Sequence, residues 1–169
     1  MFDETLRLIA TTTPDAITRR AIADGAGVSR QTLYNRWPTT ADILLDALLE
    51  RASSTIGVRE HSDLRSYLGD LAKAVNGWAR PALRAIATFA QSDPRFARRF
   101  NDEFLAVRHS ALTAAVRTSS ADARSDLHAE LIAASMWYRV LIVDTELDDE
   151  WVDDMTQLVI AATEHRSAR

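Results

Sequence analysis

Between Thr18 and Trp37 the chain concentrates side chains suited to contacting a nucleic-acid duplex. Arg30, Gln31, Thr32, Tyr34, Asn35 and Arg36 follow one another around the apolar residues Leu33 and Trp37. At about 100° per residue, a helix would turn Leu33 and Trp37 inward, set Gln31 and Asn35 opposite them, and leave Thr32 and Tyr34 on the flanks. Gln and Asn can bond adenine through two hydrogen bonds, Arg30 can reach guanine, and Thr32, Tyr34 and Arg36 suit phosphate oxygens. Thr18 and Arg19 add donors at the start of the preceding helix, where the helix dipole also favours an anion. The plainer alternative is a compact helical hairpin with a solvated polar face.

The surrounding sequence supplies the elements this chemistry needs. Phe2, Leu6, Leu8, Ile9 and Ala10 predict a first helix that stops at Thr11 to Pro14. Thr18 caps a second helix with Ile22, Ala23 and Ala26 inward, and Gly27 supplies a left-handed turn that Val28 plugs. Ser29 caps the third helix, which Pro38 ends near Trp37. Thr39 or Thr40 caps a fourth carrying Ile43, Leu44, Ala47 and Leu48 and running to about Ile56. Periodicity fails from Gly57 to Ser62. Five more helices are expected at 63–80, 81–91, 94–118, 123–143 and 150–165, with Pro81 and Pro94 in first turns and Asp93 as a cap. No strand-type alternation occurs, so the fold class is all-α, with about nine helices.

Composition narrows the function classes. The net charge of −4 argues against nonspecific coating of nucleic acid, yet four of the five Arg in the first fifty residues lie between 19 and 36, with Asp24 the one acid inside that stretch. No cysteine is present, which excludes disulfides, thiolate zinc sites and cysteine nucleophiles. The four His are scattered, without HExxH or a carboxylate three residues before a His, and there is no Gly-rich phosphate loop or nucleophile elbow. No metal, no cofactor and no enzymatic activity are therefore expected. No apolar run approaches the roughly 18 to 20 residues of a membrane span, and Asp3 and Glu4 stand where a signal peptide would carry positive charge. A cytoplasmic protein with no membrane partner is the expectation.

The run from Leu6 to Leu45 resembles the TetR/AcrR family of tetracycline-repressor-like transcriptional regulators. The resemblance rests on Thr18 to Ala26 around Ile22 and Ala23, AGVS at Ala26 to Ser29, TLY at Thr32 to Tyr34 and the aromatic Trp37. It extends to a branch of the family through PALRAIATFAQSDPRFARRF, then WYRVLI and an acidic lead into the final helix. It implies a helix-turn-helix DNA-binding domain at 1–48, connected by helix four at about 40–56, and a ligand-binding and dimerisation domain at 57–169. It also implies that the third helix reads bases, which nominates Arg30, Gln31, Thr32, Tyr34, Asn35 and Arg36, with Thr18 and Arg19 from the preceding helix. The implied partners are double-stranded operator DNA of palindromic sequence, a second copy of the chain, and a small-molecule effector that releases a repressor from DNA. The sequence departs from the pattern in places: Thr40 stands where a phosphate-binding lysine is usual, Thr13 and Pro14 stand where a glycine and an aromatic are usual, and with Met1 so close to helix one no basic arm is expected before it. The alternative these departures motivate is a ligand-binding or protein-interaction module of the same fold with weak or lost operator binding.

In the second part, 123–143 is apolar on more than one face and must be covered on both sides, by its own subunit or by another. Leu131, Ser135, Tyr138, Trp151, Met155, Leu158 and Val159 are the candidates for a homodimer interface built as a four-helix bundle, with intrachain core as the alternative. Trp78, Phe89, Phe100, Phe104, Arg108, Trp137 and Tyr138 are the candidate ligand contacts. Ordinary core is the alternative for the aromatics and solvated surface for Arg108. The acidic run from Asp144 to Asp154 is expected to be a solvated loop and helix start.

Overall fold

A computed structural model describes residues 1–12, 17–55, 63–119 and 124–167 of the chain, with side chains to residue 162. Among these residues the secondary structure is helical and contains no strand, as the apolar spacing predicts. The helix stop at Thr13 and Pro14 and the boundary at Gly57 to Ser62 lie outside the described residues.

Four helices open the chain: α1 (Phe2–Thr11), α2 (Arg19–Ala26), α3 (Arg30–Arg36) and α4 (Thr40–Thr55). Their ends follow local chemistry. The Thr18 hydroxyl accepts from Ala21 N at 3.1 Å, and Gly27 closes α2 at φ 63°, a left-handed conformation that costs a residue with a Cβ more than glycine. Thr39 caps α4 reciprocally, since its hydroxyl accepts from Asp42 N at 3.2 Å and the Asp42 carboxylate accepts from Thr39 N at 3.1 Å. The expected cap by the Ser29 side chain does not form. Ser29 occupies the cap position of α3, but its hydroxyl makes no capping bond.

Downstream come α5 (Leu64–Ala74), α6 (Arg80–Ser92), α7 (Pro94–Phe100), α8 (Ala106–Ser119), α9 (Ser125–Tyr138) and α10 (Asp149–Ser167). The expected break at Pro81 does not occur. A wide turn with i to i+5 bonding at Val75–Ala79 joins α5 to α6 without interruption. Proline lacks the N–H for a regular helical bond and its ring crowds the carbonyl four residues back, so widening the turn lets the helix continue past it. Similar turns at Asn101–Leu105 and Arg139–Val143 follow α7 and α9. Asp93 does cap α7, accepting from Arg95 N at 2.8 Å and Phe96 N at 3.1 Å.

The chain packs as two compact units. Met1–Ser54 and Trp78–Phe104 form the first, and Thr55–Gly77 with Leu105–Arg169 the second. In the first, α1 packs on α2 and α6, and α2 packs on α3. Ile22, Leu33, Ile43, Leu45 and Phe96 are fully buried. In the second, α5, α8, α9 and α10 pack around Leu64, Leu68, Ile132 and Trp151. The acidic run there contributes more than solvation. Leu147 is buried, its backbone N–H and C=O bonded to the Asn76 side-chain amide at 2.9 and 3.0 Å, and Asp148 caps α10 through Trp151 N at 2.9 Å.

Candidate nucleic-acid interface

Helix α3 has only seven residues, so it cannot hold its own conformation and must be anchored. The anchoring is apolar on one side, where Leu33 is buried and Trp37 is 5 % exposed. The Trp37 ring meets Phe2 edge to face at 5.9 Å, and its Nε1–H donates to Asp46 at 2.7 Å. Arg19 reinforces the far end of α3. Its Nη1 donates to the Trp37 carbonyl at 3.1 Å, and its guanidinium lies 4.2 Å from the centroid of Tyr34. This satisfies one of the carbonyls that a helix C-terminus leaves open, and it fixes the Tyr34 ring.

The outward side carries the residues the sequence nominates. Gln31, Thr32, Tyr34, Asn35 and Arg36 are all exposed, and Gln31 donates to the Asn35 side-chain oxygen at 3.0 Å. That bond holds the two amides in register one turn apart. Arg36 lies 4.8 Å from the Trp37 ring, and Arg30 pairs with Asp24 at 2.8 Å. Thr18 is exposed, and because its oxygen accepts from Ala21 N, its hydroxyl hydrogen remains available for a phosphate.

Behind α3 lies an ionic lattice that spacing alone does not disclose. Asp42 is 2 % exposed and accepts from Arg95 Nη2 at 3.0 Å, Arg99 Nη1 at 3.2 Å and the Thr39 hydroxyl at 2.7 Å. Arg99 also pairs with Asp46 and with Glu103, at 2.9 Å for the latter. A continuous chain of bonds therefore runs from the Trp37 indole through Asp46 to Arg99 on α7. Asp42 and Asp46 are one turn apart on α4, and Arg95 and Arg99 one turn apart on α7. This i, i+4 match was the signal available in the sequence.

Burial pushes the Asp42 carboxyl up, but hydrogen bonds and charge from Arg95, Thr39 and Arg99 outweigh it and hold it below the usual carboxylate range. A group whose folded pKa is depressed contributes stability that is present above its unfolded pKa and lost as pH falls through the folded value. Asp42→Asn is thus expected to cost about 1.5–3 kcal/mol at neutral pH, the range for hydrogen bonds to a charged group. Unfolding of both proteins between pH 7 and pH 2 should show the gap closing towards acid. A gap that stays constant with pH would assign the loss to shape instead of charge.

The ligand candidates divide between the units. Trp78, Phe89, Phe100 and Phe104 lie in the first. There Arg51 sits 5.4 Å from the Trp78 ring, Phe89 meets Phe96 edge to face, and the buried Phe100 and Phe104 stack at 5.6 Å. Arg108 and Trp137, half-buried, and Tyr138, exposed, belong to the second. The dimer candidates divide by burial. Trp151 and Val159 are core, and Trp151 Nε1 donates to Ser135 at 2.9 Å, whereas Leu131, Tyr138 and Leu158 are exposed and Met155 and Ser135 half-buried.

Known proteins resemble the chain along nearly its whole length. Residues 2–47 match the model described as bacterial regulatory proteins, tetR family, and residues 60–159 match the tetracyclin repressor-like C-terminal domain. An uncharacterized HTH-type transcriptional regulator of Bacillus subtilis strain 168, YdeS, is 24 % identical over 164 residues, spanning 91 % of this chain and 83 % of that protein. The crystal structure of the TetR family repressor AlkX from Dietzia sp. strain DQ12-45-1b, implicated in biodegradation of n-alkanes, superposes with a TM-score of 0.57 at 18 % identity. That match covers 97 % of this chain and 93 % of AlkX.

Proposed function

Because the chain belongs to the TetR family of DNA-binding transcriptional regulators, we propose that it is a ligand-responsive repressor that binds a palindromic operator as a homodimer. The observation that carries this reading is the two-sided character of α3: Leu33 and Trp37 hold it, and the hydrogen-bonded Gln31 and Asn35 face outward among Thr32, Tyr34 and Arg36. Gln31 and Asn35 read bases. Thr18, Thr32, Tyr34 and Arg36 bind phosphates, Arg30 reads guanine, and Arg19 orients Tyr34. The DNA-reading part is 1–48, α4 leads out of it, and the remainder from 57 onward senses the effector and dimerises.

Dimerisation is supported by the surface of the second unit. Leu127, Leu131, Ala134, Tyr138 and Ile142 are exposed at intervals of three or four residues along α9 and the turn after it, with Ile142 71 % exposed, and Leu158 is exposed on α10. A second copy covering this stripe would give the assembly two reading helices, as recognition of a palindrome with half-sites about one DNA turn apart requires. The effector acts by population shift, favouring a subunit arrangement in which that separation is wrong. Arg95 and Arg99 give α7 a direct hold on Asp42 and Asp46 beside Trp37, so displacement of α7 would reach the reading helix.

The test is binding to a duplex carrying the segment upstream of the protein's own coding sequence, measured against a mixed-sequence duplex over a salt series. A preference for the upstream duplex at every salt concentration is expected. Equal affinity for the two duplexes throughout would remove the operator-binding reading. Within the same assay Gln31→Ala should relax preference at one base pair per half-site by about 1–3 kcal/mol, the value of a bidentate amide contact to adenine. Unchanged affinity and preference in Gln31→Ala would take base reading away from that residue.

A further inference from the structure

Asp24 is the one acid between residues 19 and 36, and it sits directly against an arginine nominated for base contact. Arg30 donates to it from the side: Nε to Oδ1 at 3.1 Å, and Nη2 to Oδ1 at 2.8 Å and to Oδ2 at 2.9 Å. Nη1 of Arg30 bonds no described residue. The outer edge of the guanidinium, formed by Nη1 and the far side of Nη2, is therefore left open. It is also the edge whose two parallel N–H groups match O6 and N7 of guanine in the major groove. On the other side of the carboxylate, Arg20 Nε lies 3.6 Å from Oδ2. Both Arg30 and Asp24 are half-exposed, with 49 % and 51 % of their side-chain surface open.

We infer that Asp24 is a specificity-positioning residue: it grips Arg30 side-on from α2 and presents the free edge of its guanidinium to a guanine of the half-site. The side-on grip pre-organises the guanidinium. A free arginine side chain samples many rotamers and loses that freedom when it docks on a base, whereas a planar fork already held on one edge loses less. A carboxylate so near the phosphates weakens binding to any duplex, since it offsets part of the positive charge on Arg20 and Arg30. Removal of Asp24 therefore has two opposite consequences. Affinity for arbitrary DNA rises and preference at one base pair falls. The Arg30 hydrogen bond also holds the Asp24 carboxyl below the usual carboxylate range, so the grip persists at neutral pH.

This inference rests on the operator-binding reading, and the two can fail separately. The wild type, Asp24→Ala, Asp24→Asn and Arg30→Lys are each used to select duplexes from a randomised library, and the full-length proteins are then titrated with the selected and a mixed-sequence duplex. The wild type is expected to enrich a palindrome with a G·C pair at a fixed place in each half-site. Asp24→Ala and Arg30→Lys should each lose about tenfold in preference at that place alone, the range of one bidentate contact. Asp24→Ala should at the same time bind the mixed-sequence duplex more tightly than the wild type. Asp24→Asn, which keeps one acceptor, should fall between. If Asp24 served only to tie α2 to α3, Asp24→Ala would lower the melting temperature and weaken all duplexes alike. That result overturns the inference, as does an enriched palindrome whose every position is insensitive to Asp24→Ala. Failure of the wild type to enrich any sequence would overturn the operator reading itself, and the inference with it.

Discussion

Trp37→Ala is expected to lower the stability of the first unit by about 3–5 kcal/mol, the usual cost of truncating a buried tryptophan. Three contacts go together. The indole fills the space behind α3 at 5 % exposure, meets Phe2 edge to face, and donates Nε1–H to Asp46. Because α3 is seven residues long and ends at this side chain, the loss should fall first on α3 itself. Denaturant unfolding followed by far-UV circular dichroism would measure it, and duplex binding should fail before global helicity does. Trp37→Phe separates the causes. It keeps most of the ring packing and removes the donor to Asp46, a bond to an ionised partner worth about 1.5–3 kcal/mol. If Trp37→Ala unfolds at the same denaturant concentration as the wild type, α3 is held by something other than its inner face.

A charge placed on the exposed stripe of α9 should divide the protein into monomers. Leu131 is 48 % exposed in the isolated subunit, so Leu131→Arg adds a charge without disturbing that subunit's core. At a twofold interface each substitution occurs twice, and each uncompensated charge enclosed there costs about 2–5 kcal/mol. Sedimentation equilibrium at micromolar concentration should find a dimer for the wild type and a monomer for Leu131→Arg, with melting of the subunit nearly unchanged. Operator affinity should fall along with dimerisation, because one short helix reads only one half-site. A wild type that sediments as a monomer would reassign the stripe and remove the twofold reading of the operator.

Both predictions rest on features of different legibility. The division of α3 into an inner and an outer face follows from a repeat of 3.6 residues, which is set by backbone geometry, so Leu33 and Trp37 could be placed opposite Gln31 and Asn35 from spacing alone. The same holds for Thr18 as a cap, Gly27 as a left-handed turn and Asp93 as the start of α7, since each acts on neighbours within four residues. Pro81 does stand in the first turn of α6, as its local preference predicts, but no break precedes it. The widened turn at Val75–Ala79 accommodates the missing N–H and the ring, so α5 runs on into α6.

Contacts between residues distant in sequence were of another kind. The Arg99 to Asp46 pair spans 53 residues, Arg99 to Asp42 spans 57, and Asn76 reaches 71 residues to Leu147. A charge at the required helical interval is necessary for such a bond but common in any charged helix, so spacing cannot select the partner. Among seven residues proposed for a shared interface, Trp151 and Val159 proved to be core while Leu131, Tyr138 and Leu158 faced outward. The apolar pattern of α9 and α10 reports that several faces are covered, without saying by what. The chemistry of Ser29 to Trp37 is thus determined by sequence, because helical periodicity is local. The placement of Asp24 against Arg30 and of Asp46 against the Trp37 indole was decided only by the tertiary structure, which alone brings separate helices within hydrogen-bonding distance.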